Sequence, residues 1–220
     1  METKALLDIY ESLHRAYGPQ NWWPGDGPLE IILGAILTQR TTWENAAKAL
    51  GRLREAGLCS LQALDAAFEA AVAEAVRPSG CYRAKAKKLK AFAGKVSERF
   101  HGDLRRLLDL PLDALRVELL EIHGIGPETA DAIALYAAGR PAFVVDAYTR
   151  RLLERLGLLH GGESYDEIRD ALMAVLPADA TLFNEYHALV VRHGKIRCRP
   201  TPRCEGCPLQ EACAYTGADA

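Results

Sequence analysis

Four of the chain's six cysteines, Cys198, Cys204, Cys207 and Cys213, stand within one Arg- and Pro-rich stretch, CRPTPRCEGCPLQEAC. Thiolates are soft metal donors, and four with gaps of five, two and five residues could hold an iron-sulfur cluster or a zinc ion. Zinc sites more often pair two C-x2-C knuckles, and only Cys204 and Cys207 form one here. A second chemical group is Asp146, where the apolar run PAFVV ends and a helix is expected to begin. Capping is the default role of such an aspartate, at about 1 kcal/mol. Its carboxylate could equally stabilise a developing positive charge or orient water. The third group is the turn at residues 124 to 126, a Gly-Ile-Gly followed by Pro127. Gly124 and Gly126 let the backbone turn tightly, Ile125 can tuck between two helices, and Pro127 suits a first helical position. Amides at that new N-terminus suit a phosphate, although an ordinary helical hairpin has the same pattern.

Elements that could position these groups are legible from periodicity. Apolar residues recur at three- and four-residue intervals almost throughout, which predicts an all-α fold. Helices are expected over about 3-16, 28-36, 43-56, 60-75, 83-99, 103-108, 112-122, 127-138, 146-156, 164-175 and 180-194. Pro and Gly punctuate them, as in GPQNWWPGDGP and HGIGP. A chain of 220 residues can bury a core without staples. The N-terminus lacks a signal-peptide pattern and no apolar run is long enough to span a bilayer, so a reducing cytoplasm is expected, and there metal is favoured over disulfides. The net charge of −2 excludes a wholly basic nucleic-acid binder, yet the charges are segregated. Residues 192 to 203 carry five Lys or Arg and no acid, and residues 82 to 90 carry five more, among them Arg83, Lys85 and Lys88.

GIGPETA followed by VVDAYTRR resembles the helix-hairpin-helix, Gly/Pro-rich, aspartate motif of the endonuclease III superfamily of DNA glycosylases. AILTQRTTW, GCYRAKAKKL and RHGKIRC leading into the four cysteines fall in the family's order, so the likeness covers nearly the whole chain. It implies two lobes: a six-helix barrel over residues 21 to 135 with the hairpin at about 115 to 137, and a cluster lobe of residues 1 to 20 with 136 to 213, followed by a tail at 214 to 220. It also implies a [4Fe-4S] cluster on the four cysteines, one loop being a residue shorter than the family's usual spacing. The expected partner is double-stranded DNA containing a damaged base or abasic site, held in a cleft by a nucleoid-associated monomer with no membrane role.

By the same likeness Asp146 is catalytic. Family members with lyase activity use a lysine at the position occupied here by Glu128, and a carboxylate cannot form an imine, so hydrolysis without strong lyase action is expected. WWP, the aromatic after LTQ, VRPSG and GIGxE are similar to a 3-methyladenine branch of the superfamily, which holds its base between aromatic faces. That places Trp22, Trp23, Pro24 and Trp43 at a base pocket, with Trp23 and Pro24 as one wall and Trp43 as the other. A cationic alkylated purine suits indole faces. Gln39 or Arg40 would fill the gap left by the flipped base. Gly124, Ile125, Gly126, Thr129, Arg199 and Arg203 would contact DNA. Excision of uracil, mismatched thymine or an oxidised pyrimidine, with weak lyase action, stays open at this point, as does a noncatalytic iron-sulfur sensor of damage.

Overall fold

Helical periodicity is realised almost everywhere it is written. The computed structural model describes residues 1–215, and among these no strand occurs. The last five residues of the expected tail, 216 to 220, lie outside the described residues. The chain divides into two compact units: Trp23–Arg140, and Met1–Trp22 together with the chain from Pro141 onward.

The continuous unit holds ten helical segments: α1 of the other unit (Thr3–Tyr17) precedes it, and then come α2 (Pro28–Leu37), α3 (Trp43–Glu55), α4 (Leu61–Ala66), α5 (Glu69–Ala75), a 3-10 turn (Arg77–Ser79), α6 (Tyr82–Phe100), α7 (Leu104–Leu108), α8 (Leu112–Leu120), α9 (Pro127–Ala132) and a π-turn (Ile133–Ala137). Its centre is α2, where Ile32, Leu33, Ile36 and Leu37 are wholly buried and α3, α6 and the π-turn pack around them. The one helix expected over 60-75 is two. Ala67 takes an extended conformation (ψ 147°) and Phe68 follows it as the N-cap of α5, so the chain bends there without a Gly or Pro to announce it. Lys90 of α6 holds the bend by donating to the carbonyls of Leu64, Asp65 and Ala67, a tertiary anchor that local periodicity does not contain.

The second unit joins α1 to α10 (Ala147–Arg155), α11 (Tyr165–Val175) and α12 (Ala180–Ile196). Leu6, Ile9 and Leu13 form the buried stripe of α1, and Tyr186 of α12 donates its hydroxyl to the Leu6 carbonyl at 2.8 Å. Ahead of α10 the segment Ala142, Phe143, Val144 and Val145 is non-helical and buried. Phe143 meets Phe183 and Tyr186 edge-on, at 5.2 and 5.6 Å between ring centroids. Close packing of α10 on α12 depends on Gly194, where a Cβ would lie 2.4 Å from Tyr148.

Candidate active site

The buried apolar run delivers Asp146 to the start of α10, where its Oδ1 accepts from the Thr149 amide at 2.8 Å. The other oxygen lies 3.5 Å from Nε2 of His187, on the buried face of α12. Burial works to raise the Asp146 pKa, but the hydrogen bond and charge of His187 and the Thr149 bonds outweigh it, so the carboxyl stays below its ordinary value. Asp146 is therefore a cap and, at neutral pH, a buried anion. His187 was not among the residues singled out from sequence; a histidine at a helical spacing from Phe183 and Val190 reads as core, and no motif marks it.

Four cysteines gather at the end of the same unit. All are free thiols, with Cys198 buried, Cys207 and Cys213 half-buried and Cys204 exposed. The Cys207 thiol is raised by burial and, more weakly, by the charges of Cys204, Cys213 and Cys198, so the four share one electrostatic neighbourhood. Arg155 at the end of α10 donates to Cys198 Sγ at 3.2 Å and to the carbonyls of Arg199 and Pro200 at 2.6 and 2.8 Å. Arg151 donates to the Cys198 carbonyl at 2.8 Å. His193 links Tyr17 (2.8 Å from Nδ1) to Cys207 (3.9 Å from Nε2). Among the described residues no three His, Cys, Asp or Glu side chains close on a single ion. Four thiols outside any disulfide, with a guanidinium beside one of them, are the donor chemistry that an iron-sulfur cluster would take. Arg199 and Arg203 are exposed on this loop.

In the continuous unit, α8 ends and the chain turns at Gly124, whose φ of 85° and closeness to Lys88 leave no room for a Cβ (2.3 Å from Lys88 Cγ). Ile125 is buried between the helices, Gly126 is exposed as the N-cap, and Pro127 begins α9. Gln39 is locked onto this hairpin. It accepts from Lys88 Nζ and donates to the Gly124 carbonyl at 3.0 Å and to Thr129 Oγ1 at 2.9 Å. Of the pair expected to fill an emptied base stack, Gln39 is thus tied to the hairpin, while Arg40 is exposed in a left-handed conformation (φ 57°). Thr129 is buried and serves Gln39, so of the hairpin's expected contacts only the backbone and Gly126 face outward. Glu128 is exposed in the first turn of α9. Lys85, one of the five basic residues of 82 to 90, is buried. It donates to the carbonyls of Leu37 and Ser79, and burial lowers its pKa.

The aromatic expectation changes in one respect. Trp23 and Trp43 do meet, but as an edge-to-face pair, with centroids 5.3 Å apart and planes at 85°. Parallel walls around a planar base would stand about 7 Å apart, two carbon contact distances. Tyr136 of the π-turn adds a third ring, 5.2 Å from Trp23 at 52°. Gly34 in mid-α2 lies beneath both indoles: a Cβ there would be 3.1 Å from Trp43 and 3.3 Å from Trp23. Pro24 is exposed beside them. The loop bearing Trp23 and Pro24 is tethered by Glu30, which accepts from the Asp26 amide at 3.1 Å and from Arg54 at 2.6 and 2.7 Å. Trp22 belongs to the other unit, where with Gln20, Arg192 and Lys195 it lines a surface cavity of about 290 Å³.

Residues 33–178 match the family described as HhH-GPD superfamily base excision DNA repair protein. The chain belongs to this superfamily. A protein of Methanocaldococcus jannaschii named as a candidate DNA repair glycosylase is 42% identical over 210 residues, 94% of this chain and 95% of its own length. Endonuclease III of Thermotoga maritima is 29% identical, covering 86% of this chain and 83% of that protein. Among solved structures, the 3-methyladenine DNA glycosylase of H. pylori bound to 1,N6-ethenoadenine has a TM-score of 0.74 and 29% identity, over 89% of this chain and 98% of the other. A trapped endonuclease III–DNA covalent intermediate has a TM-score of 0.83 at 23% identity, over 97% and 96%. The all-helical architecture is thus that of endonuclease III, and the chain is a base excision repair DNA glycosylase of the HhH-GPD superfamily.

Proposed function

We propose that this glycosylase is monofunctional and hydrolyses the N-glycosidic bond of alkylated purines, such as 3-methyladenine, in double-stranded DNA. The observation that carries the reading is the cluster of Trp23, Trp43 and Tyr136 over Gly34, an electron-rich aromatic site suited to a flat cation. It is consistent with the likeness to a 3-methyladenine DNA glycosylase. N-alkylation leaves the purine positively charged, so its bond to C1′ is already weak and little acid catalysis is needed. As that bond breaks, its electron pair passes to the purine nitrogen and neutralises the base. Positive charge then develops on the sugar, and the anionic Asp146 stabilises it. A water oxygen forms the new bond to C1′ and its proton leaves to solvent. Glu128, where a Schiff-base lysine would be required, offers no amine, which directs the reaction to water.

Cys198, Cys204, Cys207 and Cys213 would hold a [4Fe-4S] cluster, with Arg155 and His193 beside two of the ligands. Bound there, the cluster supplies a four-point staple for the loop and a potential one-electron centre. The loop's Arg199 and Arg203, with Arg40 and the exposed hairpin backbone at Gly126, would meet DNA phosphates and the stack around the flipped base.

The test is release of free base from duplexes carrying a methylated purine, uracil, a G·T mismatch or an oxidised pyrimidine, each scored for strand scission before and after alkali. Release of methylated purine with scission only after alkali is the expected result. Release confined to uracil, thymine or an oxidised pyrimidine would overturn the substrate, scission without alkali would overturn the hydrolytic route, and tight abasic-site binding with no release at all would make the protein a sensor.

A further inference from the structure

The aromatic cluster contains a residue that neither motif nor spacing marked, Tyr136. It is presented by the π-turn Ile133–Ala137, and such turns, which insert one residue into a helix, re-aim the side chains that follow. Tyr136 is mostly buried and its ring rests against Trp23. Trp23 is therefore contacted by two rings, Tyr136 and Trp43, while Gly34 lets both indoles close onto α2. Trp43 is the first residue of α3, just after the Thr42 cap and three positions beyond the left-handed Arg40, where the chain leaves one helix and enters the next.

In this arrangement the space a base would need between Trp23 and Trp43 is taken by the indoles themselves. An edge-to-face pair sets the electropositive rim of one ring against the electron-rich face of the other. That rim is the intramolecular counterpart of a cationic base. We propose that Tyr136 is the specificity-determining residue of this site: its ring braces Trp23, so a base enters only by replacing the contact between the indoles. A cationic purine replaces it with a stronger face contact, whereas a neutral purine gains little over the contact it breaks. Discrimination then arises at entry, before any bond is cleaved, and depends on the bracing of Trp23 by Tyr136.

This inference rests on the proposed base site and is tested so that the two can fail separately. Wild type, Tyr136→Leu and Tyr136→Phe are compared for release of a methylated purine and of normal adenine from otherwise identical duplexes. Gly34→Ala, whose methyl group presses on both indoles, is measured alongside in case the leucine variant does not fold. Tyr136→Leu is expected to lower the ratio of methylated to normal excision about tenfold, mainly through a raised KM for the methylated base. Tyr136→Phe should restore most of that ratio, and Gly34→Ala should lower it in the same direction. In parallel, adenine methylated at both N3 and N9, which keeps the positive charge that the released base loses, is titrated into a Trp22→Phe background and followed by the fluorescence of Trp23 and Trp43; Tyr136→Leu should weaken the response. A wild type that releases methylated purine while both Tyr136→Leu and Gly34→Ala keep the wild-type ratio would overturn the role of Tyr136 and leave the substrate intact. A wild type that releases only another base would overturn the substrate, and the same variants, scored on that base against its normal counterpart, would still decide the role of Tyr136.

Discussion

The hairpin at Gly124–Gly126 and the loop from Cys198 to Cys213 are both short connectors rich in residues that resist helix, yet they are held by opposite means. Around the hairpin, rigidity comes from packing and from buried polar side chains: Ile125 fills the space between helices, and Gln39, Lys88 and Thr129 form a closed set of hydrogen bonds against its backbone. Over the cysteine loop little apolar surface is buried beyond Cys198 and Leu209. Its carbonyls are instead gathered by arginines, Arg151 and Arg155 from α10 and Arg197 at the end of α12, which donates to the Glu205 carbonyl. A connector with a core can fold on its own contacts, whereas one without a core needs an outside staple. The thiols would supply that staple if they hold the proposed cluster.

Four measurements sharpen or break this contrast. The largest effect belongs to neither connector but to the residue between them in sequence. Asp146→Asn is expected to reduce base release by about 10²- to 10⁴-fold while affinity for an abasic-site duplex stays near wild type; unchanged turnover in a single-turnover assay would remove Asp146 from the chemistry. Next is Gly124→Ala. The added Cβ meets Lys88 at a left-handed backbone position, and a loss of about 2 kcal/mol in urea unfolding is expected, together with weaker DNA binding. Arg155→Ala should cost about 1 to 2 kcal/mol and speed the loss of visible absorbance from iron-loaded protein, with amide exchange around the hairpin unchanged. Equal loosening of both connectors would abolish the distinction between them.

The smallest effect at neutral pH is that of His187→Gln. Because the folded pKa of Asp146 is depressed, its contribution to stability is complete above the ordinary aspartate value of 3.8 and is lost as pH falls through the lower folded value. Without His187 the burial that opposes ionisation persists while its counterweight is gone, so the Asp146 pKa rises. The acid limb of base release should therefore move to higher pH in the variant, with turnover at pH 7 reduced less than about tenfold. An acid limb that stays in place would show that His187 does not hold the charge of Asp146.

The positions of most helices were legible because apolar spacing and Pro/Gly punctuation agree with the tertiary contacts. The break at Ala67 was not, because Lys90 from a distant helix satisfies carbonyls that local sequence leaves unassigned. Asp146 was readable as the end of an apolar run, and the cysteines as a spaced set. His187 and Tyr136 were hidden for a common reason: each lies on a helical face that looks like core, and its role depends on which segment arrives opposite. The meeting of Trp23 and Trp43 edge-on was also beyond the sequence, since it depends on the absent side chain at Gly34, one glycine among eighteen.

One carboxylate oxygen of Asp146 closes the first turn of α10 while the whole group carries the charge, and these two duties are separable by chemistry. Asparagine caps a helix about as well as aspartate does, but it carries no charge. The Asp146→Asn protein should thus keep its shape and its grip on DNA while leaving the lesion in place. Coupled to a reporter, it would serve as a capture reagent that marks damaged bases in genomic DNA and stays bound long enough for them to be mapped.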